Sequence, residues 1–169
     1  MFRFSCLDKV QKDKWLPILF DLLYQNMRSV APDERSYEVQ KAAWTHEIST
    51  AIDKAPRQII LCLDDDVLAG YIQYYIRDHL LMVEEFQLEG KYQHTFLFYI
   101  SCRYLLSILP KELEKIEAYA DKRNRYSISL MEKLGMMPCE DIGNTPFVHM
   151  AGSLQQIRLW HYRNILDLP

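Results

Sequence analysis

From Asp8 to Met27 the apolar residues return every three or four positions, with Trp15, Ile18, Leu19, Leu22 and Leu23 on or near one face. That spacing predicts an amphipathic helix, in which Pro17 falls early enough to be tolerated and which Pro32 closes. A second helix on the same period is predicted from Asp33 or Ser36 through Trp44 and Ile48. The chain is thus expected to open with helices rather than a long sheet. The period then shortens. Gln58 to Leu63 reads as a strand, Asp64 to Asp66 as a turn and Val67 to Ile76 as a second strand, together an antiparallel hairpin. Gly70 inside it marks either a bulge or a close approach of backbones. A third strand, Leu80 to Leu88, follows.

Gly90 and Lys91 interrupt that strand, and Thr95 to Leu109 has the length and apolar run of a buried helix stopped by Pro110. Glu114 to Ala120 predicts another strand, and Ser127 to Leu134 a short helix capped by Gly135. Strand, helix, strand, helix in this order implies a right-handed crossover between parallel strands. Beyond it, Met136 to Ile142, Pro146 to Ala151 and Ile157 to Tyr162 are strand candidates, with turns at Gly143–Asn144 and Gly152–Ser153. No repeat, low-complexity tract or linker divides the sequence, so residues 1–169 read as one α/β domain.

Composition adds exclusions. An apolar fraction of 49% and a charged fraction of 25% are those of a globular protein. Eleven tyrosines fit an aromatic-lined cleft or an adhesive surface equally. A net charge of -3 without a basic run argues against nucleic acid as partner. The one small cluster, Lys122, Arg123 and Arg125, suits either the phosphates of a small molecule or a solvated loop. Four scattered cysteines and five histidines give no zinc spacing, HxH or HExxH, so no metal is expected. No segment has the length of a membrane span and no signal pattern opens the chain, which sets the expectation of a cytoplasmic protein with no membrane partner. The first two helices are open to use in an acceptor site or in a homodimer interface.

A parallel strand running into a helix leaves backbone N–H groups that can bind pyrophosphate without a basic side chain. Phe86 through Phe98, with Gln93, His94 and Thr95 in its polar turn, offers this arrangement, and Asn124 and Ser127 stand at the next helix entrance as further cofactor-binding candidates, so that an extended cofactor is expected to be held between the two strand-helix units. Here NRYSISLMEKLGM, Asn124 to Met136, resembles a pattern of the GCN5-related N-acetyltransferase (GNAT) superfamily: Asn, two residues, Ser or Ala, then a helix ending in Lys-Leu-Gly and an apolar residue. It is especially similar to the branch that acetylates protein N-termini. Upstream, EEFQLEGKYQHTFLFYI resembles that superfamily's strand, turn and cofactor-binding helix.

The resemblance implies an acyl-CoA N-acyltransferase fold, a central mixed, mostly antiparallel sheet flanked by helices. It implies acetyl-CoA as acyl donor, with backbone from Phe86 to Leu88 facing the pantetheine and the amides of Gln93, His94, Thr95, Phe96, Leu97 and Phe98 facing the pyrophosphate. Gln93 takes the place of the Arg or Gln that opens the loop. The implied reaction is direct acetyl transfer to a primary amine of a small molecule, peptide or protein. Two departures stand out. Phe96 and Phe98 replace small residues, mostly glycine, which makes the pyrophosphate loop atypical, and Met131 occupies the position of a proton-donating tyrosine. For the loop, three readings stay open: the rings point into the core, the cofactor is shifted, or binding is lost.

The chemistry needs a base for the amine and a proton for the departing thiolate. Glu84 and Glu85 are adjacent in a strand and so face opposite sides; Glu85 is taken as the direct or water-mediated base, with His149 as a further candidate. Tyr126, or Tyr119 on the preceding strand, stands in for the missing tyrosine, a packing role being equally open for each. Asn124 and Ser127 also read as local caps, Leu130 and Leu134 as core, and Lys133 as solvated. The competing functions are a noncatalytic GNAT-like binding or regulatory domain and an acyltransferase that uses a different acyl-CoA.

Overall fold

The computed structural model describes residues 1–54, 56–139 and 145–165. Its elements run β1 (Phe2–Cys6), α1 (Lys12–Met27), α2 (Tyr37–Lys54), β2 (Gln58–Asp64), β3 (Val67–Arg77), β4 (Leu80–Leu88), α3 (Leu97–Ile108), β5 (Lys115–Asp121), α4 (Arg125–Lys133), β6 (Met137–Pro138), β7 (Phe147–Ser153) and α5 (Leu154–Ile165). The strands are ordered β1-β2-β3-β4-β5-β7-β6 in a mixed, mostly antiparallel sheet flanked by helices, as expected. Contacts group the chain into two units, residues 1–75 with 85–93, and residues 76–84 with the segment from 94 onward.

In the first unit the expectation of a helical opening is corrected: β1 comes first and pairs antiparallel with β2 from Phe2↔Asp64 to Cys6↔Ile60. Its edge position explains why five residues suffice, since β2 supplies the ladder. The β2–β3 hairpin turns at Asp65 and Asp66, both at positive φ (47° and 68°), a left-handed geometry that aspartate tolerates better than most side chains. Leu16, Leu19 and Leu22 of α1 and Ile48 and Ile52 of α2 bury with Ile59, Leu61 and Leu63 of β2 and Tyr71 of β3. Each such leucine removed from water contributes roughly 2 kcal/mol. Polar clamps join the helices: Lys41 Nζ donates to Asp21 Oδ1 (2.7 Å) and to the Tyr37 hydroxyl (2.8 Å), and Lys12 pairs with Asp53. Gly70 is a close approach: a Cβ there would lie 2.5 Å from the Gln87 carbonyl oxygen and 2.6 Å from Leu88 Cδ2. The irregularity in the ladder falls opposite, between Cys62 and Leu63.

In the second unit β4 pairs parallel with β5 from Leu80↔Lys115 to Val83↔Ala118, the crossover the sequence predicts. β5 pairs antiparallel with β7, and the two-residue β6 lies outside β7. Ile157 to Tyr162, expected as a strand, is instead part of helix α5. Its β-favouring residues mislead, because burial falls at Leu154, Ile157 and His161, three and four apart. The helix is tied to α3 by His161 Nε2, 3.0 Å from the Tyr99 carbonyl oxygen, and by Trp160 stacked on Tyr99 at 5.8 Å. Of the Met136 to Ile142 candidate, only Met137–Pro138 forms strand within the described residues; residues 140–142 and the Gly143–Asn144 turn lie outside them. Gly135, at φ +84°, ends α4, its N–H bonding the Glu132 carbonyl while that of Met136 bonds the Met131 carbonyl.

Candidate functional site

The end of β4 is held by a chain of amides. Glu85 and Gln87 are two apart on a strand and share a face, and Gln87 Nε2 donates to Glu85 Oε2 at 2.8 Å. Asn26, on α1, donates to Gln87 Oε1 (2.9 Å) and to the Leu88 carbonyl (3.0 Å). Gln93 Nε2 closes the chain by donating to Asn26 Oδ1 (3.0 Å) and to the same Leu88 carbonyl (3.1 Å). The candidate base Glu85 and the candidate loop-opening residue Gln93 are therefore joined through two residues that sequence reasoning passed over, Asn26 and Gln87. A polar residue every few positions on a helix reads as a solvated face, so nothing local marked Asn26.

Tyr71, a core residue of β3 within electrostatic reach of Glu85, is 1% exposed, its hydroxyl without a hydrogen-bond partner among the described residues. Burial first, and then the charge of Glu85, hold its phenol well above the ordinary value of 10. Tyr71 therefore stays neutral at physiological pH.

Beyond Gln93 the chain enters its left-handed residue, His94 (φ 62°), whose ring sits edge-on to Tyr126 with centroids 4.6 Å apart. Two residues singled out by sequence thus meet, at the entrances of α3 and α4. α3 starts at Leu97, whose N–H bonds Thr95 Oγ1 (3.2 Å), while the Gln93 N–H bonds the Gly90 carbonyl (3.2 Å). These two loop amides are engaged within the chain. The Phe96 ring is 54% exposed rather than in a core, and Phe98 is half-buried, edge-on to Tyr99 at 5.5 Å.

At α4 the bonds are local. Asn124 Oδ1 accepts the Ser127 N–H at 3.1 Å, so Asn124 is the cap of the helix. Arg123, one of the basic cluster, returns to the buried Asp121 through Nε and Nη2, both at 2.8 Å. That guanidinium, aided by the Arg123 backbone N–H, holds the Asp121 carboxyl below its ordinary value of 3.8, at about 2. Tyr126 is 52% exposed, Met131 half-buried. On the β5–β7 ladder, His149 Nε2 lies 3.0 Å from Glu117 Oε2 and its ring stacks on Tyr119 at 4.5 Å. The carboxylate fixes the imidazole, and this pairing gives both His149 and Tyr119 a structural occupation.

Among the described residues no group of three His, Cys, Asp or Glu could hold a metal ion, and no helix is long and apolar enough to cross a membrane.

No protein-family model and no curated protein matches the chain by sequence. Solved structures do match it in fold. A PaiA N-acetyltransferase from Thermoplasma acidophilum, crystallised in complex with coenzyme A, is 13% identical at a TM-score of 0.70, over 90% of this chain and 99% of that one. An acetyltransferase from Thermus thermophilus is 11% identical at a TM-score of 0.73, over 91% and 97%. An acetyltransferase of the GNAT family from Staphylococcus aureus is 7% identical at 0.68, over 91% and 99%. The fold of this chain is GNAT-like.

Proposed function

We propose that the chain is an N-acetyltransferase that moves the acetyl group of acetyl-CoA directly to a primary amine of a small molecule, peptide or protein. The observation that carries this reading is a carboxylate, Glu85, oriented by hydrogen bonding at the end of the strand from which the chain turns into α3. The GNAT-like fold supports the donor class. Within the reading, Phe86, Leu88 and the turn from Gln93 through Phe98 bind the donor, with Asn124 and Ser127 keeping the α4 entrance in shape.

An ammonium has no lone pair to attack with, so its proton passes first to Glu85, directly or through one water. The amine nitrogen then bonds to the thioester carbon, and the carbon–sulfur bond breaks as the carbonyl re-forms. Charge on the carbonyl oxygen in between is met by a backbone N–H of the Phe86–Leu88 segment. The thiolate takes up a proton, for which the exposed phenol of Tyr126 is the candidate donor, since the thioether of Met131 has none to give, and the second proton, which the nitrogen sheds as it becomes an amide, passes through water and restores that phenol. No covalent enzyme intermediate is needed.

A second reading, a noncatalytic acyl-CoA-binding domain, is favoured by Phe96 and Met131. Calorimetry with acetyl-CoA followed by turnover across an amine panel separates the two. Saturable binding and acetylation are expected. Glu85→Gln is expected to lower kcat by roughly 10²–10⁴-fold while leaving donor affinity unchanged. Binding without turnover on any amine would select the noncatalytic reading, and absence of binding to folded protein would overturn both.

A further inference from the structure

α1 and α2 leave between them a cavity of about 330 Å³, at the small end of the range of roughly 300–1,000 Å³ for small-molecule sites. Phe20, Tyr24 and Met27 line it from one face of α1, and Ala43 and Trp44 from α2. The α1 positions are three and four apart, so that wall is a continuous apolar stripe. At about 100° per residue, this stripe is on another flank of α1 from Asn26, which bonds Leu88. The cavity is therefore separate from the end of β4.

Its charges are unequal in what they are already doing. Asp33 and Arg35 are bonded to one another, with Arg35 Nη2 2.5 Å from Asp33 Oδ2, and Gln40 donates to the Arg35 carbonyl at 2.6 Å. Arg28 and Glu47, which also line the cavity, have no ion-pair or hydrogen-bond partner for their side chains among the described residues. Each stands about one helical turn from an aromatic wall, Arg28 from Tyr24 and Glu47 from Trp44. Both side chains are solvent-exposed at the edge of the cavity, so a wholly apolar ligand would leave both charges unused, a ligand of one sign would satisfy one and oppose the other, and a ligand carrying both signs can meet both.

We infer that this cavity binds a small zwitterion with an apolar body, an amino acid or short peptide, whose ammonium meets Glu47 and whose carboxylate meets Arg28. Its side chain lies against Phe20, Tyr24 and Trp44, where the ammonium also gains from the aromatic faces. The inference does not depend on acetyl transfer.

The test is a titration of the full chain, read at the indole N–H signal of Trp44, assigned with Trp44→Phe. L-phenylalanine is expected to shift it saturably. N-acetyl-L-phenylalanine, lacking the ammonium, and L-phenylalaninamide, lacking the carboxylate, are each expected to bind about tenfold or more weakly. Glu47→Gln and Arg28→Gln are expected to lower L-phenylalanine affinity by about the same factor. Ala43→Phe, at an exposed position that tolerates the ring, is expected to fill the cavity and remove the shift. A Phe-Leu dipeptide binding more tightly than L-phenylalanine identifies a peptide ligand, and the reverse order a free amino acid. Equal affinity for all three phenylalanine probes, an undiminished response in the Ala43→Phe variant, or no saturable shift by about 10 mM overturns the proposal.

Discussion

Two turns carry a strand into a helix in this chain, and they are secured in opposite ways. The turn between β4 and α3 is held by side chains distant in sequence: Gln93 bonds Asn26, 67 residues away, and Asn26 reaches Gln87 and Leu88. The turn between β5 and α4 is held locally, by Arg123 on Asp121 and by Asn124 on the Ser127 N–H. The first makes the end of β4 depend on where α1 lies, whereas the second needs nothing beyond itself. A turn of the first kind can hold a carboxylate in a set orientation, and Glu85 is where its amide chain ends.

Gly70→Ala is the most severe way to break the distant turn, since the added methyl meets the Gln87 carbonyl and Leu88 and must displace that strand end. A loss of about 3 kcal/mol in urea unfolding is expected, together with weakened acetyl-CoA binding. Asn26→Ala leaves the Gln87 and Gln93 amides short of partners; about 2 kcal/mol is expected, with acetyl transfer falling alongside because Glu85 loses its support. At the local turn, Asp121→Asn is expected to cost about 1.5 kcal/mol at neutral pH, with a smaller loss of acetyl transfer than Asn26→Ala because Glu85 keeps its support. Its pH dependence has a definite sign. Folding holds the Asp121 carboxyl at about 2, below 3.8, so its contribution is complete above roughly pH 4 and disappears as pH falls through about 2. The gap between wild type and Asp121→Asn is therefore expected to narrow below about pH 4 in a series of thermal melts. Asn124→Ala, removing only a cap, is the mildest at about 1 kcal/mol by the same unfolding assay. Should Asn124→Ala impair acetyl transfer as much as Asn26→Ala, the contrast between the turns would fail.

The contrast also explains what could be read in the sequence. The Leu80 to Leu88 strand, the crossover and the Gly135 cap were all legible because their signals are local: an apolar run, a period, a glycine after an amphipathic segment. So was the Asn124 cap. β1 escaped because a short strand at a sheet edge draws its pairing from β2, which lies beyond both opening helices in the chain. α5 was misread because Ile157, Leu159, Trp160 and Tyr162 favour strands, and only packing selects the three-and-four spacing of its buried positions. In the candidate site, Glu85 and Gln93 were recognised but not their connection, since an asparagine on α1 and a glutamine on β4 carry no sign of each other.

His94 holds its backbone in the left-handed region, where a side chain costs about 1 kcal/mol that glycine avoids. Its ring is also one half of the contact with Tyr126. Laboratory evolution that rewards only thermal endurance would consequently drift toward glycine at this position, gaining robustness and discarding an aromatic contact. Persistence of histidine in a lineage grown under selection for the chemistry, beside its loss in one grown without, would identify the strain as retained by use.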